Sequence, residues 1–283
     1  MRILAVGVAT LDIVNRVEAY PQEDQEIRAI SQSRRQGGNA CNSLTVLSRL
    51  GHSCSWAGVM ADDEASRFIL DQLHSVQIDT RWVRVESGGM TPTSYITTAE
   101  ASGSRTIVHY RQLSEFSYED FAEIDLQAYD WVHFEGRNPQ ATLKMLQQLR
   151  QQYPNLQVSL ELEKPRPGLE QALPYVDVVL ISRAYSMAKG IADAQQLFDH
   201  ITPMIRQALC YLAWGEHGSW MLDRDRGVHF EQAVKPAKVV DTLGAGDVFN
   251  AGVIHALFEW LDPLEALRYG NRIAGEKCGR DGL

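Results

Sequence analysis

Val239-Val240-Asp241-Thr242-Leu243-Gly244-Ala245-Gly246-Asp247-Val248-Phe249-Asn250-Ala251-Gly252 decides how this chain is read. A strand end runs into a turn of small residues, and the turn opens an apolar helix continuing through about Leu261. Val248, Phe249, Ala251, Val253, Ile254, Ala256 and Leu257 cover most of that helix's circumference, which predicts burial on all sides rather than an amphipathic face. The first N–H groups of a buried helix need partners. Gly244, Ala245 and Gly246 leave theirs unobstructed, so an anion can approach the backbone where the helix dipole favours it. Asp247 lies in the first turn, where the helix terminus should favour its ionised form and make it a modest base. The competing reading is a tight bend followed by an ordinary capping Asp; the full Asp-Thr-x-Gly-Ala-Gly-Asp string is much more specific than Gly-x-Gly-Asp alone.

Outward from this segment, short apolar runs alternate with segments of helical period. Strands are predicted at Ile3–Val8, Trp131–Glu135, Val158–Leu162, Val176–Ile181 and Leu209–Trp214. Helices are predicted at Asn42–Leu50, Glu64–Leu73, Pro139–Gln151 and Asp193–Gln207. Runs apolar throughout suit strands buried on both faces, so the fold class is α/β, a mainly parallel sheet flanked by helices. Residues about 12–36 and 89–112 break the rhythm with alternating or Thr-rich patterns, and Ala101-Ser102-Gly103-Ser104 reads as a hairpin turn. A few such strands cannot hold a core alone and read as a small antiparallel β lid on a single domain spanning 1–283.

The 283 residues carry a net charge of −9, which disfavours nucleic acid and anionic membrane as partners. Cys41, Cys54, Cys210 and Cys278 are scattered, without CxxC or metal-ligand spacing, and read as reduced thiols in a cytoplasmic protein. The apolar run after Arg2 reads as a buried first strand rather than a secretion signal, and no stretch is long enough to cross a bilayer.

A second cluster, Gly37-Gly38-Asn39-Ala40-Cys41-Asn42, precedes a helix. Its glycines permit close approach, and the amides of Asn39 and Asn42 can both donate to and accept from hydroxyls, as sugars require. Asp12, placed at the end of the first strand, would add an acceptor. Either Asn could instead cap the helix.

Gly37-Gly38-Asn39 and Asp241-Thr242-x-Gly244-Ala245-Gly246-Asp247 together resemble the two signatures of the ribokinase-like, or PfkB, carbohydrate kinases. Within that family the likeness is greatest to the kinases of ketohexoses, through Tyr20–Asp24, Gly103–Val108, Phe134–Asn138, Leu160–Arg166 and Lys277–Gly279. The resemblance implies a ribokinase-like fold and transfer of the γ-phosphate of ATP to a sugar hydroxyl, such as C1 of fructose. Asp247 would be the base and Gly244, Ala245 and Gly246 the anion hole. Asp12, Gly38, Asn39 and Asn42 would hold the sugar, and Arg105 on the lid would face developing phosphoryl charge.

Glu135, Arg137 and Lys164 are further substrate candidates near strand ends, each equally readable as part of a structural ion-pair network. Trp214, Gly215, Glu216 and Gly218 resemble the nucleotide loop, and Cys278 the adenine-side cysteine; Trp214 reads as well as a core residue. The resemblance also implies Mg²⁺, with K⁺ as a further candidate ion, and a homodimer formed through the lids in which Asp24 reaches the partner's site. An Asn-x-x-Glu motif common in the family is replaced by Ser182-Arg183-Ala184-Tyr185, so no protein ligand to Mg²⁺ is named. Alternatives are the same chemistry on ribose, another sugar or a nucleoside, and a non-catalytic sugar- or nucleotide-binding protein.

Overall fold

The computed structural model describes residues 1–260 and 262–283, so the predicted helix end at Leu261 lies outside the described residues. The chain runs β1 (Arg2–Val6), β2 (Thr10–Val17), β3 (Ser31–Gly37), α1 (Asn39–Arg49), β4 (Ser53–Ala61), α2 (Glu64–Ser75), β5 (Asp79–Glu86), β6 (Thr93–Ala99) and β7 (Arg105–Tyr110). It continues through α3 (Tyr118–Ala122), β8 (Trp131–Phe134), α4 (Pro139–Gln152), β9 (Gln157–Leu162), β10 (Val178–Ser182), α5 (Arg183–Ala188) and α6 (Ala194–Ile201). The last elements are β11 (Leu209–Ala213), β12 (Ser219–Asp223), β13 (Gly227–Glu231), α7 (Ala245–Trp260) and α8 (Pro263–Lys277).

Nine strands form one sheet in the order β13-β12-β11-β10-β9-β8-β1-β4-β5, parallel except for the β12 and β13 pairings. The apolar runs are what allow this, because alternate residues enter opposite cores. Ile3 and Ala5 of β1 pack beneath α1, α2, α7 and α8, whereas Leu4 and Val6 pack on the face covered by α3, α4 and α6. β1 is flanked by β8 on one side and β4 on the other, so the strand order reverses beside it. Crevices at such reversals open at the carboxyl ends of the strands and are where ligands of open α/β sheets collect.

The second sheet has the order β3-β2-β6-β7; its outer pairs are antiparallel and its central β2–β6 pair is parallel. Several differences from the sequence reading have local causes. The first strand stops at Val6, and Asp12 sits inside β2 of the small sheet rather than at the end of β1. The helix expected over Asp193–Gln207 ends at Ile201, and Pro203 lies in the short 3₁₀ turn that follows. β4, β5, β12 and β13 join the large sheet although the sequence pattern did not announce them.

Candidate active site

The first turns of α1 and α7 meet beneath the small sheet. Gly38, with φ of 99°, takes the N-cap position of α1, and a Cβ there would run into the Val8 carbonyl oxygen. A Cβ on Gly37 would collide with the Asp12 carboxylate, so the paired glycines let β1, the small sheet and α1 close on one another. Because Gly38 supplies no side-chain cap, neither asparagine caps the helix. Asn42 Nδ2 donates to Asp247 Oδ2 at 2.7 Å, and Asn39 Nδ2 donates to both Glu161 carboxylate oxygens at 3.2 Å. The capping alternative is thereby replaced: both amides are spent on buried carboxylates of the cluster around Asp247.

Asp247 is buried, and its main-chain carbonyl accepts from Ser43 Oγ at 3.2 Å. Its carboxyl is pushed up to about 8 by burial first, eased by the Asn42 bond and pushed further by Glu163, Glu135 and Asp12. This corrects the expectation of an ordinary ionised carboxylate at a helix terminus: removal from water and like charges outweigh the dipole. Glu161, which the sequence reading did not select as a site residue, is buried on β9 and bonded by Asn39 and Asn250, the latter at 3.1 Å. Burial, then the charges of Asp247, Glu163 and Glu135, raise its carboxyl well above the carboxylate range. The only local signal for Glu161 was a charge inside the apolar run Leu160-Glu161-Leu162.

Glu135 ends up buried behind this cluster. Its Oε2 accepts from the N–H of Val8 at 2.8 Å and of Ala40 at 3.4 Å, tying the end of β1 to the start of α1, and burial pushes its carboxyl to about 7. Asp12 accepts from Thr10 Oγ1 at 2.8 Å and is raised by burial.

At the head of α7, the N–H groups of Gly244, Gly246 and Asp247 donate to no acceptor among the described residues, whereas that of Ala245, expected to be free for an anion, is taken by the Thr242 carbonyl at 3.3 Å because the turn closes on itself there. Among the described residues nothing beyond its chain neighbours and its own helix backbone lies within 4 Å of where a Cβ on Gly246 would stand, whereas Leu283 leans on Gly244 at 2.7 Å from the corresponding point. A cleft of about 200 Å³ opens beside this turn, lined by Asp12, Arg35, Asn42, Leu243, Gly244 and Leu283 among others. Asp241 anchors the turn. It accepts from the Leu243 N–H at 2.8 Å, from Arg35 of β3 at 3.0 Å and from the fully buried Lys277 ammonium at 3.1 Å. Arg105 of β7 donates to Thr242 Oγ1 at 2.8 Å, so two arginines of the small sheet grip the two residues that open the motif. Cys278, at the end of α8, lies beside the same turn and accepts from the Val240 N–H at 2.8 Å through its carbonyl.

The remaining sequence candidates stand apart from this cluster. Arg137 pairs with Glu115 at 3.1 Å and reaches Glu135 only at 4.0 Å, as in a structural network. Lys164 is exposed and pairs with Glu163 at 3.2 Å; Asp24 is exposed in the β2–β3 loop. Trp214 is buried in the core against Trp220, and Gly215, Glu216 and Gly218 form the turn after β11, with no hydrogen bond to the cluster.

The family model of pfkB carbohydrate kinases matches residues 2–283. Ketohexokinase of Mus musculus is 39% identical across 100% of this chain and 97% of its own length. A putative ribokinase from Agrobacterium tumefaciens superposes with a TM-score of 0.85 at 26% identity, covering 99% of this chain and 92% of that one. Ribokinase of Arabidopsis thaliana, solved with ribose and ATP, shares the fold at a TM-score of 0.81 and 18% identity, covering 99% and 93% of the two chains. With its α/β body and small sheet of the ribokinase type, the chain belongs to the pfkB family of carbohydrate kinases and is an ATP-dependent phosphotransferase.

Proposed function

We propose that this kinase phosphorylates a ketohexose such as fructose at its C1 hydroxyl, with Asp247 as the base and the head of α7 as the anion hole. The observation that carries the reading is the pairing of a buried Asp247, held at 2.7 Å by Asn42, with uncommitted N–H groups at Gly244, Gly246 and Asp247 itself. A hydroxyl lodged between them meets an acceptor for its proton while the phosphoryl oxygens meet fixed donors. A carboxyl raised to about 8 is a stronger base than a solvated one, and its partial ionisation near neutral pH suits a proton that leaves late. Asn39, Asn42 and Asp12 offer the mixed donors and acceptors that a polyol needs. Arg105, beside Thr242, supplies positive charge over the transferring group. The small sheet acts as a lid, and its closure keeps water from taking the phosphoryl group instead.

ATP in this chemistry travels with Mg²⁺. Glu161 and Glu163, the carboxylates felt by Asp247 and by each other, are the hard oxygens that would face an ion held mainly by phosphates and water. When bound, the ion neutralises phosphate charge.

β7 is exposed along its whole length, with Val108 at 65% and Tyr95 of the adjoining β6 at 51%, and a second copy of the chain covering this face gives a homodimer. Sedimentation of Val108→Glu checks this, since the dimer should fall apart. The free thiols accord with a reducing cytoplasm. The test of substrate is product identification by ³¹P NMR after incubation with ATP, Mg²⁺ and fructose, in parallel with ribose and other sugars. Fructose 1-phosphate as the fastest-formed product supports the reading; faster transfer to ribose or an aldose overturns it.

A further inference from the structure

Away from the cleft, at the far end of α7, two histidines and a glutamate converge. His52 follows α1 and is buried, and its Nε2 lies 2.7 Å from Nδ1 of His255. His255 and Glu259 are one turn apart on α7, and one ligand atom from each of the three residues falls within 4.8 Å of the others. Among the described residues this is the one group of three such side chains that gathers so closely. Phe258 stands at 6.3 Å from the His52 ring, and Trp260 and Tyr269 at 5.9 and 5.2 Å from that of His255, which walls the pair on the apolar side and leaves Glu259 exposed.

The geometry points to a Zn²⁺ site formed by His52 Nε2, His255 Nδ1 and the Glu259 carboxylate, with water in the fourth position. Two imidazoles and a carboxylate around one open position is a donor set Zn²⁺ takes readily. Tetrahedral bonds of about 2.0–2.1 Å place two nitrogens roughly 3.3 Å apart, so the rings separate by about half an ångström. Whichever ring holds the shared hydrogen carries it on its far nitrogen once the metal enters. The site sits eight residues beyond Asp247 on the same helix, about 12 Å along its axis. It clamps that helix to the turn after α1 without touching the cleft.

Equilibrium dialysis of the tag-free protein against ZnCl₂ tests this, with Co²⁺ as the spectroscopic probe. One equivalent of Zn²⁺ per chain is expected, together with the visible absorption of a low-coordinate Co²⁺ adduct that Zn²⁺ bleaches. His255→Gln and Glu259→Gln should each weaken uptake at least tenfold, and Zn²⁺ should raise the melting temperature of the parent more than that of either variant. Cys278→Ser should leave uptake unchanged, which separates the site from thiol binding. Absence of saturable uptake at millimolar ZnCl₂, or uptake equal in parent and both variants, overturns the assignment.

Discussion

Replacing Asn42 by Ala removes the single side-chain hydrogen bond that Asp247 accepts among the described residues, at 2.7 Å and out of solvent. A bond to a charged acceptor contributes about 1.5–3 kcal/mol, and each pKa unit corresponds to about 1.4 kcal/mol. The bond favours the ionised carboxylate, so its loss raises Asp247 by about one to two units above its value of about 8. At pH 7 the ionised fraction then drops from about one in ten to between one in a hundred and one in a thousand. The assay is kcat/KM from ADP release over a pH series, with thermal melts confirming the fold. Activity at pH 7 should fall by about 10–100-fold, and the acid limb should shift up by one to two units so that part of the loss returns in alkali. An unmoved acid limb would refute the reasoning whatever happens to KM, because Asn42 also faces the sugar and only the limb reports its bond to Asp247.

Asp247→Asn should stabilise the fold while disabling it. Between the ordinary carboxyl value of 3.8 and about 8, native Asp247 holds a proton that the unfolded chain releases. The parent therefore loses stability as pH rises through that window. Melting temperatures of parent and variant should diverge by several degrees in the variant's favour toward pH 8 and converge toward pH 4. Gly38→Ala forces a side chain into a left-handed conformation against the Val8 carbonyl, and urea unfolding should show a loss of about 3 kcal/mol or no soluble protein. Lys277→Met strips a buried ammonium from Asp241, which keeps Arg35 as a partner at 3.0 Å; the unfolding midpoint should fall by the equivalent of about 3 kcal/mol.

The parallel sheet was legible because its central strands are apolar on both faces, a property each short run carries by itself. β4 was not, since Ser53-Cys54-Ser55-Trp56-Ala57-Gly58 mixes small and polar residues whose burial depends on neighbours. The edge strand β5 alternates arginines with apolar residues and reads like a loop. In the site, the Gly-rich turn and the asparagines could be picked out because close approach and bidirectional hydrogen bonding are properties of residue type. Glu161 could not, because its partners Asn39 and Asn250 lie 122 and 89 residues away. The raised pKa of Asp247 escaped for the same reason: the helix terminus is local, but the carboxylates that oppose ionisation arrive from β2 and from the segments after β8 and β9.

The most direct measurement is turnover of Asp247→Asn with ATP, Mg²⁺ and fructose, alongside ATP binding by calorimetry. A base in contact with the acceptor hydroxyl predicts that turnover falls by about 10²–10⁴-fold while nucleotide affinity is kept. Turnover within a few-fold of the parent would show that the proton leaves by another route and that the head of α7 is not where this kinase does its chemistry.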